Sequence, residues 1–107
     1  MKVEYSDLKN KNVFITGGGS GIGASIVEHF CEQGAEVFFI DINIKDSNKL
    51  LKEIKKKKFK APNFIECNIL NIKKLQNIIK KIILTKGPID ILINSAANDN
   101  RHTTEQV

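Results

Sequence analysis

The sequence predicts an α/β protein, a parallel sheet wound βαβαβαβ with helices on both of its faces. Two observations carry this. Short, wholly apolar runs such as Val13-Phe14-Ile15 and Val37-Phe38-Phe39-Ile40 suit strands buried on both sides. Between the runs lie longer segments whose apolar residues recur every three or four positions, the period of a helix with one buried face. The chain has 107 residues, room for one small domain, and is 41% hydrophobic and 27% charged, which is globular rather than disordered.

Each element can be justified in turn. Val13-Phe14-Ile15 is the first strand. From Gly21 a helical pattern takes over, with Ile22, Ile26 and Phe30 recurring and Ala24 and Val27 beside them, and Gly34 stops it. Val37 to Ile40 is the second strand and ends at Asp41. Asp46 or Ser47 caps a second helix that turns Leu50, Leu51 and Ile54 inward. Phe64-Ile65 forms a short third strand after Pro62. Asn71 caps a third helix with Leu75, Ile78, Ile79, Ile82 and Ile83 on its apolar face, and Gly87-Pro88 ends it. Ile91-Leu92-Ile93 is the fourth strand, running into Asn94. The closing stretch NDNRHTTEQV is polar and irregular. No internal repeat or linker divides the chain, so residues 1–107 read as one domain. Parallel strands joined this way call for right-handed crossovers.

Composition narrows the function. No apolar run approaches the length of a membrane span, and the polar start MKVEYSDLKNKN lacks a signal peptide's apolar stretch. The expectation is a cytoplasmic protein with no membrane partner. Cys31 and Cys67 are single and far apart, so they are expected as reduced thiols rather than metal ligands. The net charge of +5 is concentrated in KKKKFK, at Lys55, Lys56, Lys57, Lys58 and Lys60. Such a cluster could bind nucleic acid. The better reading is a solvated helix end, where lysines suit the dipole. Ile, Lys and Asn supply 44 of the 107 residues, so the lysines share in a bias spread over the whole chain. Phe59 apart, no aromatic is interleaved to stack on bases.

The residues that carry chemistry sit at strand ends. VFITGGGSGIG, residues 13–23, turns the first strand into the first helix, at the carboxyl edge where open α/β sheets bind ligands. Glycine lets the chain turn sharply and approach a ligand closely. The unpaired N–H groups of the helix's first turn attract phosphate. Gly17, Gly21 and Gly23 fit the spacing T-G-x-x-x-G-x-G, and Ser20 and Ile22 complete the loop. Asp41, at the tip of strand two, can accept hydrogen bonds from adenosine ribose hydroxyls and would repel a 2′-phosphate. Neither Gly18 nor Ile42, its expected neighbours, supplies an arginine to welcome one. NAD rather than NADP is the expected cofactor. The alternative is that Asp41 merely ends its strand or caps a turn. Asn68 and Ile69 follow strand three, where an asparagine could meet the adenine edge. Asn94 and Ala96 flank Ser95 after strand four, where small residues let a ring or ribose pass.

Together these residues resemble the short-chain dehydrogenase/reductase family. TGGGSGIG is similar to its cofactor loop, and INSAA to its I-N-N-A-G motif. The resemblance implies a Rossmann-like domain that binds a nicotinamide dinucleotide, and a homo-oligomer for the full-length form. The family usually has Asp where this chain has Asn68, Asn at Ser95 and Gly at Ala97. YSDLKNKNVFITGGGSGIG, EQGAEVFFIDI and AANDNRHTTEQV are similar, more narrowly, to the family's sugar dehydrogenases, which oxidise aldoses to lactones with NAD. That implies a sugar-like small-molecule substrate, with Asn98 to His102 beside it or simply a polar surface loop.

The family's reaction uses a tyrosine as proton acceptor, a lysine four residues later that lowers the tyrosine pKa, and a serine that orients the substrate oxygen. Tyr5-Ser6-Asp7-Leu8-Lys9 matches Y-x-x-x-K literally but precedes the first strand, and Tyr5 is the sole tyrosine. His102 does not fit the role either, and His29 reads as a surface helix residue. No catalytic residue is assigned, and the chain alone is expected to be inactive. It reads as the N-terminal half of an oxidoreductase, truncated after strand four. The runners-up are a 3-oxoacyl carrier-protein reductase or steroid-type relative, and a non-catalytic nucleotide-binding remnant. A methyltransferase-like fold is disfavoured by the loop's glycine spacing.

Overall fold

The computed structural model describes residues 8–96. Its elements are β1 (Asn12–Thr16), α1 (Gly21–Glu32), β2 (Glu36–Asp41), α2 (Ile44–Lys56), β3 (Asn63–Glu66), α3 (Ile72–Lys86) and β4 (Ile91–Asn94). The predicted alternation is therefore present in full. All pairings are parallel and the strand order is β3-β2-β1-β4. Register is set by pairs such as Phe14 with Phe38 and with Leu92, and Phe39 with Phe64.

The sheet's two-residue period divides the core. Val13, Ile15, Val37 and Phe39 face α1 and α2, where Val27, Cys31, Leu50 and Ile54 meet them. Phe14, Phe38 and Ile40 point the other way, toward Ile82 of α3. Val13, Phe14 and Ile15 are all 0% exposed, which is why an uninterrupted apolar run is needed there. The chain passes outward through β2 to β3, then returns across β1 to β4. The direction reverses between β1 and β4, the topological switch point where α/β sheets open a crevice at their carboxyl ends.

Three expectations need correction. The cap of α2 is Asn43, not Asp46 or Ser47: its Oδ1 accepts the Asp46 N–H at 2.9 Å and its amide donates to Asp46 Oδ2 at 2.9 Å. Ile44 and Lys45, which open α2, are exposed, so the inward-facing pattern starts late. Ile22 is 65% exposed, because α1 buries Gly23, Val27 and Cys31 instead. Ile83 is 45% exposed and lies off the buried stripe of α3, in which Ile82 is central. Strands β3 and β4 are apolar but only half-buried, since each is an edge strand. The other stops and caps are as read. Gly34, at φ +84°, closes α1, with Gly34 N–H donating to Cys31 O and Ala35 N–H to Phe30 O. Asn71 caps α3, its Oδ1 accepting the Lys74 N–H.

Candidate functional site

Four strand ends converge on one edge of the sheet, and the glycine loop is built into it by backbone hydrogen bonds. Ile40 O of β2 accepts both the Gly17 N–H at 2.8 Å and the Gly18 N–H at 3.2 Å. The loop thus hangs on the neighbouring strand as well as on its own.

The glycines have different reasons. A Cβ on Gly23 would lie 1.9 Å from Gly17 O, so the first turn of α1 can abut the loop only with a bare residue there. Gly17 has φ +70°, and a Cβ on it would lie 2.8 Å from Ala96 N, so the strand-four segment packs directly on the loop. Gly21, at φ +59°, faces open space. The helix that starts there has no acidic residue in its first turn, and the Ser20 side chain makes no capping bond. Its leading N–H groups are left without a side-chain cap, which is the condition for anion binding.

Asp41 stands beside this loop. Its Oδ2 accepts the Gly19 N–H at 2.9 Å and its Oδ1 accepts the Asn43 N–H at 2.8 Å. The loop neighbour is Gly19, not Gly18: Gly18 is buried against Val27 and Phe39, with 2.8 Å to each from the position of a Cβ. A carboxylate has about four lone-pair sites, so two remain after these bonds. Asp41 therefore tightens the turn into α2 and still presents acceptors.

The remaining predicted residues line the same edge less uniformly. The Thr16 hydroxyl donates to Asn94 Oδ1 at 2.7 Å, which fixes the Asn94 amide at the end of β4. Ser95 N–H donates to Thr16 O, holding the next residue, Ala96, against Gly17. Asn68 is exposed, but its Oδ1 accepts the Leu70 N–H at 2.9 Å and its backbone carbonyl accepts the Asn71 N–H. It thereby shapes the entry into α3, and Ile69 follows half-buried. Tyr5, Ala97 and the Asn98–His102 segment lie outside the described residues.

Two participants have roles that sequence reasoning did not reveal. Thr16 leads the T-G-x-x-x-G-x-G spacing, but its bond to Asn94 joins strands far apart in the sequence. Ser47 is 0% exposed and its Oγ has no hydrogen-bond partner. Its signal was present: residues 47, 50, 51 and 54 follow helical spacing, and Ser47 is the one polar member of that inward face. An unpaired buried hydroxyl costs about 1–3 kcal/mol, so its retention calls for a reason.

Cys31 and Cys67 are free and buried. Burial, helped by Glu28 and Glu36 nearby, pushes the Cys31 thiol up to about 12, so it is inert as a nucleophile. Two members of the lysine cluster have acidic partners: Lys57 with Glu28, and Lys60 with Glu36 at 3.1 Å. No helix among the described residues is long and apolar enough to cross a membrane.

Comparison with known proteins gives a consistent result. The family model for short chain dehydrogenases matches residues 11–107. A D-xylose 1-dehydrogenase of Caulobacter vibrioides is 41% identical over 103 residues, covering 96% of this chain and 40% of that protein. A probable galactose dehydrogenase of Rhizobium meliloti is 36% identical over 104 residues, covering 97% and 41%. This chain thus spans about two-fifths of the length of the curated relatives it matches. Among solved structures, a hydroxysteroid dehydrogenase from Escherichia coli superposes with a TM-score of 0.71 at 33% identity, covering 81% of this chain and 37% of that one. A metagenomic short-chain oxidoreductase solved in complex with NADP superposes at a TM-score of 0.73 and 21% identity, covering 81% and 39%, which speaks to the fold alone.

Proposed function

Because the chain belongs to the short chain dehydrogenase family, we propose that it is the dinucleotide-binding part of an oxidoreductase that uses NAD on a sugar-like alcohol. The observation that carries the cofactor choice is the Asp41 carboxylate bonded to Gly19 N–H, beside the uncapped start of α1. The family binds nicotinamide dinucleotides, and the cradle fits one. Ser20, Gly21, Ile22 and Gly23 would offer backbone N–H groups to the pyrophosphate, while Gly17, whose own N–H is held by Ile40 O, would shape the turn that carries them. Asp41 would take the adenosine ribose hydroxyls on its free lone pairs and repel a 2′-phosphate. Asn68 and Ile69 would border the adenine, and Asn94 and Ala96 the nicotinamide-side ribose. When bound, the dinucleotide supplies the hydride acceptor, and these residues bind and orient it. The sugar reading is supported by the D-xylose and galactose relatives, ahead of a carrier-protein reductase.

A second reading, a dinucleotide-binding protein without catalysis, is favoured by one feature. The sole tyrosine, Tyr5, comes before β1 in the sequence, whereas the glycine loop follows it. Titration of the purified chain by calorimetry tests the cofactor assignment. NAD is expected to bind at least roughly tenfold tighter than NADP, the weight of about 1.4 kcal/mol at one ribose position. Asp41→Asn should erase that difference. Equal affinity for the two dinucleotides in the unaltered chain would overturn the assignment. Incubation with NAD and D-xylose should yield no NADH from residues 1–107 alone, and sugar-dependent NADH would instead show that the chain is catalytic.

A further inference from the structure

Ser47 holds a buried hydroxyl that nothing in the fold uses. It sits on the inward face of α2, one turn ahead of Leu50. A serine inside a helix commonly satisfies its hydroxyl on the carbonyl four residues back. Here Asn43 O accepts the Ser47 backbone N–H, and Oγ is left without a partner. Oγ is turned instead toward the glycine loop. A Cβ on Gly19 would lie 2.4 Å from Ser47 Oγ and 3.0 Å from Asp41 Oδ2. Hydroxyl and carboxylate therefore border one spot, which is open only because residue 19 is glycine.

We propose that Ser47 is a positioning residue for Asp41, and through it sets the preference for a free ribose 2′-hydroxyl over a 2′-phosphate. The inference rests on the dinucleotide reading above. Asp41 is held at present by two backbone donors, Gly19 N–H and Asn43 N–H. Ribose hydroxyls on the free lone pairs would draw the carboxylate outward and lengthen its bond to Gly19 N–H. The Ser47 hydroxyl, already desolvated and bordering the same spot beside Gly19, would become the replacement donor. Charge-assisted bonds of this kind are the strong ones, and they fix the carboxylate where a phosphate would meet its full charge. A buried hydroxyl without a partner calls for an explanation, and a donor held ready for Asp41 supplies one.

Stability and specificity respond in opposite senses, which makes the test decisive. The whole chain is compared with Ser47→Ala, Ser47→Thr and Ser47→Cys, in thermal melts without ligand and in calorimetric titrations with NAD and NADP. Ser47→Ala is expected to melt no lower than the unaltered chain, since it deletes an unpaired hydroxyl. It should nevertheless weaken NAD binding roughly tenfold, the worth of one hydrogen bond to a charged group, and leave NADP unchanged. Ser47→Thr, which keeps the hydroxyl, should restore the NAD preference. If Ser47→Ala does not fold, Ser47→Cys, of similar size and a poor donor, must show the same loss. A folded Ala or Cys variant with the original NAD-to-NADP ratio would overturn the proposal and make Ser47 a packing residue. An unaltered chain with no NAD preference would overturn the dinucleotide reading itself, and this inference with it.

Discussion

At the scale of single residues, the loop separates glycines by what they cannot lose. Gly23 meets backbone: its substituent would press on Gly17 O, which has no flexible end to yield. Gly21 meets only its own dihedral angle, since nothing lies within 4 Å of its missing Cβ. The two alanine substitutions should therefore differ. Gly23→Ala is expected to cost about 3 kcal/mol or more, as overpacking against rigid neighbours does. Gly21→Ala should cost about 1 kcal/mol, the penalty of a left-handed backbone. Urea midpoints of the two variants check this, and equal losses would mean that the loop relaxes around residue 23. The glycine spacing was legible because each position is demanded by backbone geometry, which only glycine meets. The pairing of Gly19 with Asp41 was not, because it depends on where a side chain from another strand comes to rest. Ser47 was misread for a related reason: serine near a helix start signals a cap, and its inward placement outranked that preference.

Helix ends supply the lesson at the scale of elements. The two helices on one face of the sheet close with the same pair of hydrogen bonds. In α1 the left-handed residue is Gly34; in α2 it is Lys58, at φ +63°, with Lys58 N–H donating to Lys55 O and Phe59 N–H to Ile54 O. The first stop was readable from its glycine. The second was hidden in a run of lysines, and only the Phe59 side chain packing back on the core betrays it. Lysine in this conformation carries the steric cost that glycine avoids. Lys58→Gly is therefore expected to stabilise the chain by about 1 kcal/mol, less the extra freedom glycine gives the unfolded state. A rise in melting temperature without a change in secondary structure would confirm it, and a fall would show that Lys58 contributes more than its backbone loses. Strand identity was legible from apolar runs alone. Strand depth was not, because β3 and β4 owe their half-exposure to their place at the sheet's edges, which is a property of topology.

For the molecule as a whole, charge ties distant segments together near Glu36. Its carboxylate faces Lys60 at 3.1 Å and Lys86 at 3.9 Å, and accepts from the Asn63 amide at 3.2 Å. Partial burial alone would raise its pKa, but the hydrogen bonds from Lys60 and Asn63 and the charges of Lys60 and Lys86 together hold it below the ordinary 4.5. A depressed carboxyl stabilises the fold above its unfolded pKa. That contribution disappears as pH falls through the lower, folded value. Stability should thus decline on acidification below 4.5, and Glu36→Gln should flatten that part of the curve. An unchanged acid limb in the variant would assign the decline to other carboxyls. Apolar surface is also unevenly spread: Leu84 is 76% and Leu92 65% exposed, on α3 and on β4, an edge strand among the described residues. The alternation of strands and helices revealed the architecture. Periodicity records which residues could be covered, not whether anything covers them. One earlier detail reaches furthest. Ile40 O holds both Gly17 and Gly18 amides, so the loop's shape is settled when β1 and β2 pair. Its ordering entropy is lost during folding, not on meeting a ligand. Loop and sheet are then thermodynamically one body: a molecule that docks on the loop draws the folding equilibrium toward the paired strands, and a fault in those strands reappears as weaker binding.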